Sequence, residues 1–172
     1  MVGYKDSLTE AMVWLGSLPD TIFLGQCVKY KGNAMFDTLK DIPEDKRLEM
    51  PVAEELQMGM SIGISLAGLT PISCYPRFDF LLLAMNQMVN HLDKISSMTC
   101  FRPKVIIRTM VGPTYPLNGG LQHTGNYTEA MKAMLKTIRV RTLFEPGIIP
   151  SAYEDAYWSD TSTLLIEYGD RY

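Results

Sequence analysis

Two neighbouring acids stand where a stretch of small residues begins. The segment PVAEELQMGMSIGISLAGLTPISCYPRFDF, residues 51–80, places Glu54 and Glu55 ahead of Gly59. An acid in the first turn of a helix is stabilised by the helix dipole, and this ordinary role would suffice for either residue. If that helix packs against another surface, however, one carboxyl group is buried, and burial favours its protonated form. The acids at the head of this segment are therefore candidates for proton chemistry.

A histidine provides the second candidate for chemistry. His123 lies in a long segment rich in Gly and Pro, residues 111–126, which follows an apolar run. Long loops of this kind are more often functional than short connections. The imidazole can act there as an acid or base or can stabilise charge, but it can also simply tie the loop down through hydrogen bonds. His91 falls on an amphipathic helix pattern and is interpreted as structural.

Short apolar runs and helical spacing alternate along the whole chain. Ser7 with Glu10 and Ser151 with Glu154 have the spacing of capping boxes, which predicts a helix start at each serine. The predicted strands are 21–25, 70–75, 104–110, 139–144 and 163–167, and further helices are predicted at 54–67, 80–93 and 128–135.

This alternation predicts an α/β fold with three layers, α/β/α, and a mostly parallel, doubly wound sheet. The length of 172 residues suits one domain, 1–172. Ligands of such sheets gather beyond the carboxyl ends of the strands. Glu54, the loop 76–80 and the loop 111–126 all follow strand candidates, so we expect them at one common edge.

The composition excludes several classes of partner. A net charge of −3 gives no basic surface for nucleic acid, and the basic run formed by Lys132, Lys136, Arg139 and Arg141 is interpreted as a solvated face. No apolar run is long enough for a membrane span, and the charged N-terminal residues do not fit a signal peptide. Three scattered cysteines fit a reducing compartment. We therefore expect a cytoplasmic protein without a nucleic-acid or membrane partner.

Several familiar catalytic motifs are absent from the sequence. There is neither a GxxxxGK[ST] phosphate loop nor a GxGxxG after a strand. The run Gly63 to Ala67 nearly matches the nucleophile elbow GxSxG, but it ends in Ala and lies inside a predicted helix. Two histidines without clustered acids predict no metal site in this chain.

Four segments in a fixed order resemble a known family. The stretch from Met50 to Phe80, then MNQMVNHLDK, PKVIIRT and GGLQHTGNY, are similar to the pyrimidine-binding domain of thiamine-diphosphate-dependent enzymes. The greatest similarity is to the beta subunit of 2-oxo acid dehydrogenases, within the transketolase-like superfamily. Each motif alone would occur by chance, and their order and spacing carry the resemblance from YKDSLTEAM to TLLIEYGDRY.

The resemblance implies roles for individual residues. Glu54, five residues before Gly59, takes the place of the family's glutamate, which hydrogen-bonds nitrogen N1′ of the cofactor's aminopyrimidine and favours its imino tautomer. Phe80 takes the place of the aromatic residue that stacks on this ring, although it could equally be ordinary core. His123 takes the place of the active-site histidine.

The chain also departs from the family at the expected pocket. Gln26, followed by Cys27, replaces an acidic pair near the cofactor, and Pro76 and Arg77 replace other side chains that line the pocket. Gln26 and Pro76 would border the cofactor, and Arg77 could bind a substrate carboxylate or phosphate or remain a solvated loop charge.

Half of the family's cofactor site is missing from the sequence. The Gly-Asp-Gly motif of the domain that holds the diphosphate through Mg²⁺ does not occur, and Gly169-Asp170-Arg171 does not replace it. The resemblance therefore implies a partner chain, an alpha-type diphosphate-binding subunit, in a heterotetramer or around a homodimer core. The implied activity is 2-oxo acid decarboxylation with acyl transfer. A split transketolase-like subunit that transfers ketol groups between sugars, and a non-catalytic assembly or regulatory subunit, remain alternatives.

Overall fold

Six parallel strands form one sheet in the computed structural model, which describes residues 3–115 and 117–172. The strands follow the order β2-β1-β3-β4-β6-β5, and every neighbouring pair is parallel. The strand bounds are β1 Thr21–Gly25, β2 Arg47–Glu49, β3 Thr70–Tyr75, β4 Ile106–Val111, β5 Arg139–Thr142 and β6 Thr163–Tyr168.

Helices cover both faces of this sheet, so the predicted three-layer α/β/α fold is confirmed. Their bounds are α1 Tyr4–Ser17, α2 Ala34–Asp37, α3 Glu54–Leu66, α4 Phe78–Leu81, α5 Ile95–Met98, α6 Thr128–Met134 and α7 Ile149–Trp158. One apolar core joins α1 and α7 to the sheet, and a second joins α3, residues 78–92 and α6 to the opposite face. No helix within 3–115 and 117–172 is long and apolar enough to cross a bilayer.

Both predicted helix starts at serines were wrong. Ser7 is buried inside α1, which begins at Tyr4 because the Tyr4 side chain is buried and its hydroxyl donates to the Leu143 carbonyl at 2.5 Å. α7 begins at Ile149, where Pro150 suits the first helical turn, and the Ser151 hydroxyl donates back to a carbonyl of the preceding turn. Tertiary contacts and proline thus outweigh the local capping pattern.

Two further elements differ from the sequence prediction. The predicted helix 80–93 begins at Phe78 and is irregular, because α4 is followed by a 3-10 turn, Leu82–Ala84, and a π-helix, Asn86–Leu92. Strand β2 was missed because Arg-Leu-Glu is short and polar and lies at the sheet edge, where pairing needs no apolar pattern.

A buried ion pair lies on the α1/α7 side of the sheet. Arg108 of β4 donates through Nε to Glu167 of β6 at 2.6 Å, and both side chains are fully buried. The hydroxyls of Tyr153 and Tyr172 also donate to the Glu167 carboxylate, and Thr38 accepts from Arg108. Burial raises the pKa of the Tyr153 and Tyr172 hydroxyls, so they remain protonated donors. This network crosslinks β4, β6 and α7 within the core.

Candidate functional site

Glu54 is the first residue of α3 and is 5% exposed. The helix begins just past β2, so Glu54 lies at the carboxyl edge of the sheet. Its backbone carbonyl accepts a hydrogen bond from the Tyr75 hydroxyl at 3.5 Å. Across the described parts of the chain, its carboxylate receives no hydrogen bond. The residue as a whole is nearly buried, but its carboxylate oxygens are not among the fully shielded, unpartnered atoms of the described residues, so they remain open to a donor from a ligand or a partner.

Buried polar side chains hold α3 in register on the sheet. Gln57, one turn after Glu54, donates to the Cys74 carbonyl at 3.0 Å and to the Ser73 hydroxyl at 3.1 Å. Ser61 donates to the same Ser73 hydroxyl. Burial raises the pKa of the Tyr75 hydroxyl, and the nearby Glu54 charge adds to the effect. The position of Glu54 is therefore fixed by β3 as well as by its own helix.

Glu55, the neighbouring acid, is exposed. Its carboxylate accepts from Asn86 Nδ2 at 3.3 Å and from Gln87 Nε2 at 3.5 Å. The two acids of the opening motif thus have opposite environments, one buried without a donor and one solvated.

Phe80 and His123 are brought together by the fold. Phe80, in α4 after β3, and His123, in the loop after β4, lie edge to face with ring centroids 5.5 Å apart and an interplanar angle of 87°. Both side chains are half-buried, as are Pro76 and Arg77 immediately after β3. The contact joins the loops that leave two adjacent parallel strands.

Two aspartates hold the loop that carries His123. At its end, Asp79 accepts from the Tyr127 hydroxyl at 2.9 Å and from the Gly125 backbone N–H at 3.3 Å. The hydrogen bond to Asp79 raises the pKa of the Tyr127 hydroxyl. At its start, Asp170 accepts from the backbone N–H groups of Thr114 and Tyr115, at 2.5 and 3.1 Å. Asp170, in the Gly169-Asp170-Arg171 segment, therefore holds the start of this loop in place.

Gly112 allows a close approach that sets the position of His123. A Cβ at residue 112 would lie 1.7 Å from the His123 carbonyl oxygen and 3.1 Å from Arg77 Nη1. Any side chain there would push the loop away, so the absence of a side chain at 112 brings Arg77 and the His123 backbone together.

Two polar atoms at this place are shielded from solvent and have no hydrogen-bond partner among the residues that the structure describes. They are Arg77 Nη1 and His123 Nδ1. Burial lowers the pKa of the Arg77 guanidinium, partly offset by the charge of Asp79. Buried polar groups are normally satisfied, so such atoms in one loop cluster indicate contacts that a ligand or partner would complete.

Gln26 lies at the same edge on the neighbouring strand, directly after β1. The turn that holds it is fixed by Glu49 of β2, whose carboxylate accepts from the backbone N–H groups of Cys27, Val28 and Lys29 at 2.6, 2.9 and 2.8 Å. Cys27 adopts a positive φ of 55° in this turn. The carboxylate of Glu49, from β2, therefore lies at the turn formed by Gln26 and Cys27.

The common edge expected for the candidate residues is present in the structure. Gln26, Pro76 and Gly112 follow three adjacent parallel strands, β1, β3 and β4, whose axes lie about 4.8 Å apart. Phe80, His123 and Arg77 form one contact group around Gly112, and Glu54 adjoins β3 through Tyr75.

Sequence reasoning missed the residues that position this group. Gln57 had a usable signal, because a polar residue one turn after Glu54 shares its helix face. Asp79, Gly112 and Glu49 act through contacts between distant segments and carried no local signal. No group of three or more His, Cys, Asp or Glu side chains in the described ranges could hold a metal ion.

The sequence is similar to beta subunits of 2-oxo acid dehydrogenases, although no family model matches it. It is 32% identical to the pyruvate dehydrogenase E1 component subunit beta of Gracilaria tenuistipitata var. liui, over 87% of this chain and 49% of the relative. It is 24% identical to the 2-oxoisovalerate dehydrogenase subunit beta of Bacillus subtilis (strain 168), over 90% of this chain and 50% of the relative. The chain thus spans about half the length of these relatives.

Solved structures show the same fold. A split gene transketolase, described as an inactive beta4 tetramer, superposes with a TM-score of 0.74 at 18% identity, covering 96% of this chain and 51% of that one. Transketolase from Leishmania mexicana superposes with a TM-score of 0.73 at 16% identity, covering 94% of this chain and 24% of that one.

The fold is transketolase-like. In sequence, the chain is related to the beta subunits of 2-oxo acid dehydrogenases.

Proposed function

We propose that this chain is one subunit of a thiamine-diphosphate-dependent enzyme that decarboxylates a 2-oxo acid and transfers the acyl group. Residues 1–172 would form its pyrimidine-binding domain. The single observation that carries the proposal is Glu54, a residue that is 5% exposed and whose carboxylate receives no hydrogen bond within the described residues. The sequence relatives are named as beta subunits of 2-oxo acid dehydrogenases, and these names support the reaction class.

The residues present fit the aminopyrimidine half of the cofactor. The Glu54 carboxylate has no hydrogen-bond donor among the described residues, and a protonated ring nitrogen of the cofactor would supply one. Phe80 is half-buried and available for ring stacking, and Gln26 and Pro76 border the same edge. When bound, thiamine diphosphate supplies the carbon nucleophile that attacks the carbonyl group of the substrate and accepts the electrons of the bond that breaks.

The role of this chain is to hold and move protons and to exclude water. Glu54 would share a proton with nitrogen N1′, because its carboxylate accepts no hydrogen bond from the described residues and is free to accept one from the ring. His123 would act on the substrate side as an acid, a base or a charge stabiliser, at a position held by Phe80 and by the carbonyl contact at Gly112. The hydrogen bond from Tyr75 to the Glu54 carbonyl, and the bond from Gln57 that holds α3 on β3, would keep the position of Glu54 constant through the reaction.

A partner chain would complete the site. Large apolar side chains are exposed close to Glu54 in sequence, with Val52 at 75% and Leu56 at 53%, and Leu83, at 61%, lies in the 3-10 turn that packs against α3. An apolar border around a buried acid suits a subunit contact. We infer that an alpha-type, diphosphate-binding subunit covers this surface and holds Mg²⁺, in a heterotetramer or around a homodimer core.

Cofactor binding tests the proposal. Thiamine diphosphate with Mg²⁺ is titrated by calorimetry into this chain alone and into this chain with the partner that co-purifies with it. We expect negligible binding to the chain alone and tight binding to the complex. Tight binding by the isolated chain would refute the shared site, and absence of binding in both samples would refute the cofactor.

Ketol transfer, the rival activity, is separated by substrate. The complete assembly should turn over pyruvate-type 2-oxo acids and should leave ketose phosphates unchanged; the opposite pattern would favour a split transketolase-like subunit. The likeness to transketolase structures concerns the fold, at 16–18% identity, and does not favour sugars as substrates.

A further inference from the structure

Arg77 carries a positive charge that the described residues do not neutralise. Its Nη1 is shielded from solvent and has no hydrogen-bond partner. None of the ion pairs within 3–115 and 117–172 includes its guanidinium. Leaving a buried donor unsatisfied lowers stability, and more so for a charged group, so the fold gains from an acceptor at this point.

Other arginines of the chain are better satisfied. Arg108 also has a nitrogen without a partner, but its charge is neutralised by Glu167 at 2.6 Å. Arg102 is exposed and donates to the Ser96 carbonyl at 2.7 Å. Arg47 is also half-buried and outside the ion pairs of the described residues, but it donates through Nη1 to the Val28 carbonyl at 3.2 Å. Among the described arginines, Arg77 therefore stands apart in combining partial burial with neither an ion pair nor a side-chain hydrogen bond.

The acid nearest to Arg77 in sequence is committed elsewhere. Asp79 raises the pKa of Arg77 through its charge, but burial dominates and lowers it. The two oxygens of Asp79 accept from the Tyr127 hydroxyl and the Gly125 N–H, and these bonds hold the loop of His123. Asp79 thus fixes the loop above Arg77 without pairing with it.

The surroundings of Arg77 Nη1 belong to the candidate active site. The space beside it is the place where a Cβ of residue 112 would lie, and the same place adjoins the carbonyl of His123. His123 contributes the other shielded, unpartnered nitrogen of this loop cluster, and its ring rests on Phe80.

The geometry points to Arg77 as the residue that binds the carboxylate group of the 2-oxo acid substrate. A planar guanidinium with free donors matches a carboxylate in a bidentate arrangement, and partial burial strengthens the ion pair. The carboxylate assignment rests on the proposed function, whereas anion binding by Arg77 rests on its own contacts. Arg77 would thereby orient the substrate towards His123.

Anion binding is measured on the full chain, without cofactor or turnover. Pyruvate, inorganic phosphate and uncharged methyl pyruvate are titrated separately, and the Gly112 amide and Arg77 Nε–H signals are followed by ¹H–¹⁵N NMR. We expect pyruvate to shift both signals saturably and methyl pyruvate to leave them in place. Arg77→Gln should weaken pyruvate binding by about ten- to a hundredfold. Arg77→Lys should weaken pyruvate binding as well, because an ammonium group cannot form a bidentate pair with a carboxylate.

Arg102→Gln is the matched control, since it removes an exposed arginine that precedes the opposite edge of the sheet and should leave pyruvate binding unchanged. A response to phosphate but not to pyruvate would overturn the carboxylate assignment. Equal pyruvate binding by wild type, Arg77→Gln and Arg77→Lys, each with a native amide spectrum, would overturn the role of Arg77. Neither result depends on thiamine diphosphate, so failure here is distinguishable from failure of the proposed function. In the assembled enzyme, Arg77→Lys should raise KM for the 2-oxo acid more than it lowers kcat.

Discussion

Gly112→Ala should displace the loop of His123 while leaving the rest of the domain folded. The added Cβ would lie 1.7 Å from the His123 carbonyl oxygen, whereas Cβ contacts in proteins essentially never fall below 3.0 Å. The loop must therefore move by at least about 1.3 Å, because the backbone carbonyl cannot rotate away as a flexible side chain would. Overpacking of this kind costs about 1–3 kcal/mol of stability.

The functional effect should exceed the effect on stability. A displacement of roughly 1 Å at a catalytic group lowers the rate by about a hundredfold, equivalent to about 2.7 kcal/mol of transition-state stabilisation. Turnover of a 2-oxo acid by the assembled enzyme measures this loss. In the isolated chain, the loss of the NOE between the Phe80 and His123 rings reports the displacement itself.

Gly147→Ala is the matched control for the same chemical change. Gly147 is exposed, and an added Cβ would meet nothing within 4 Å. This variant should keep the ring contact and full activity, with stability changed by less than about 1 kcal/mol. If Gly112→Ala also keeps the NOE between the two rings, the close approach at Gly112 does not position His123 and the reasoning fails.

Two further predictions concern stability. Glu167→Gln should lower the free energy of unfolding by about 3–5 kcal/mol, because it leaves Arg108 buried and unpaired. Glu129→Gln, which breaks the exposed pair with Lys132, should lower it by less than about 1 kcal/mol. Urea denaturation measures both losses, and equal losses in the two variants would contradict the structure. Burial opposes ionisation of Asp93, but hydrogen bonds from the backbone of residues 136–138 and from the Thr137 hydroxyl prevail and lower its pKa. A lowered folded-state pKa gives a contribution that is complete above about pH 4 and is lost as the pH falls through the folded-state pKa. Asp93→Asn should therefore cost about 2 kcal/mol at pH 7 and progressively less towards pH 2; a constant difference in unfolding free energy across this range would refute the assignment.

Apolar runs predicted the strands well where the strand is buried on both faces. β3 and β4 lie in the middle of the sheet, and their side chains are almost entirely buried, so the sequence there is mostly apolar, with polar exceptions such as Ser73 and Arg108 that find hydrogen-bond partners inside the protein. β2 lies at the edge, pairs with one neighbour and needs no such run. The capping patterns at Ser7 and Ser151 failed because a buried tyrosine contact and a proline moved the helix starts.

The candidate site was predictable as a set of residue types but not as an arrangement. The sequence placed Glu54, Phe80 and His123 after strands, and parallel strands bring such positions to one edge. The ring contact between Phe80 and His123 depends on how far each loop folds back, which Gly112, Asp79 and Asp170 determine through contacts distant in sequence. Burial of Glu54 likewise depends on packing against β3, which periodicity alone does not reveal.

Replacement of Glu54 in the assembled enzyme tests the central claim most directly. Glu54→Gln keeps the size of the side chain and removes the acid, and Glu55→Gln makes the identical change at the exposed neighbour, whose amide contacts a glutamine can retain. We predict that Glu54→Gln lowers kcat with a 2-oxo acid by at least about a hundredfold, the scale of lost acid–base catalysis, while Glu55→Gln retains nearly full turnover. Unchanged kcat in Glu54→Gln would contradict the account and would identify the chain as a non-catalytic subunit.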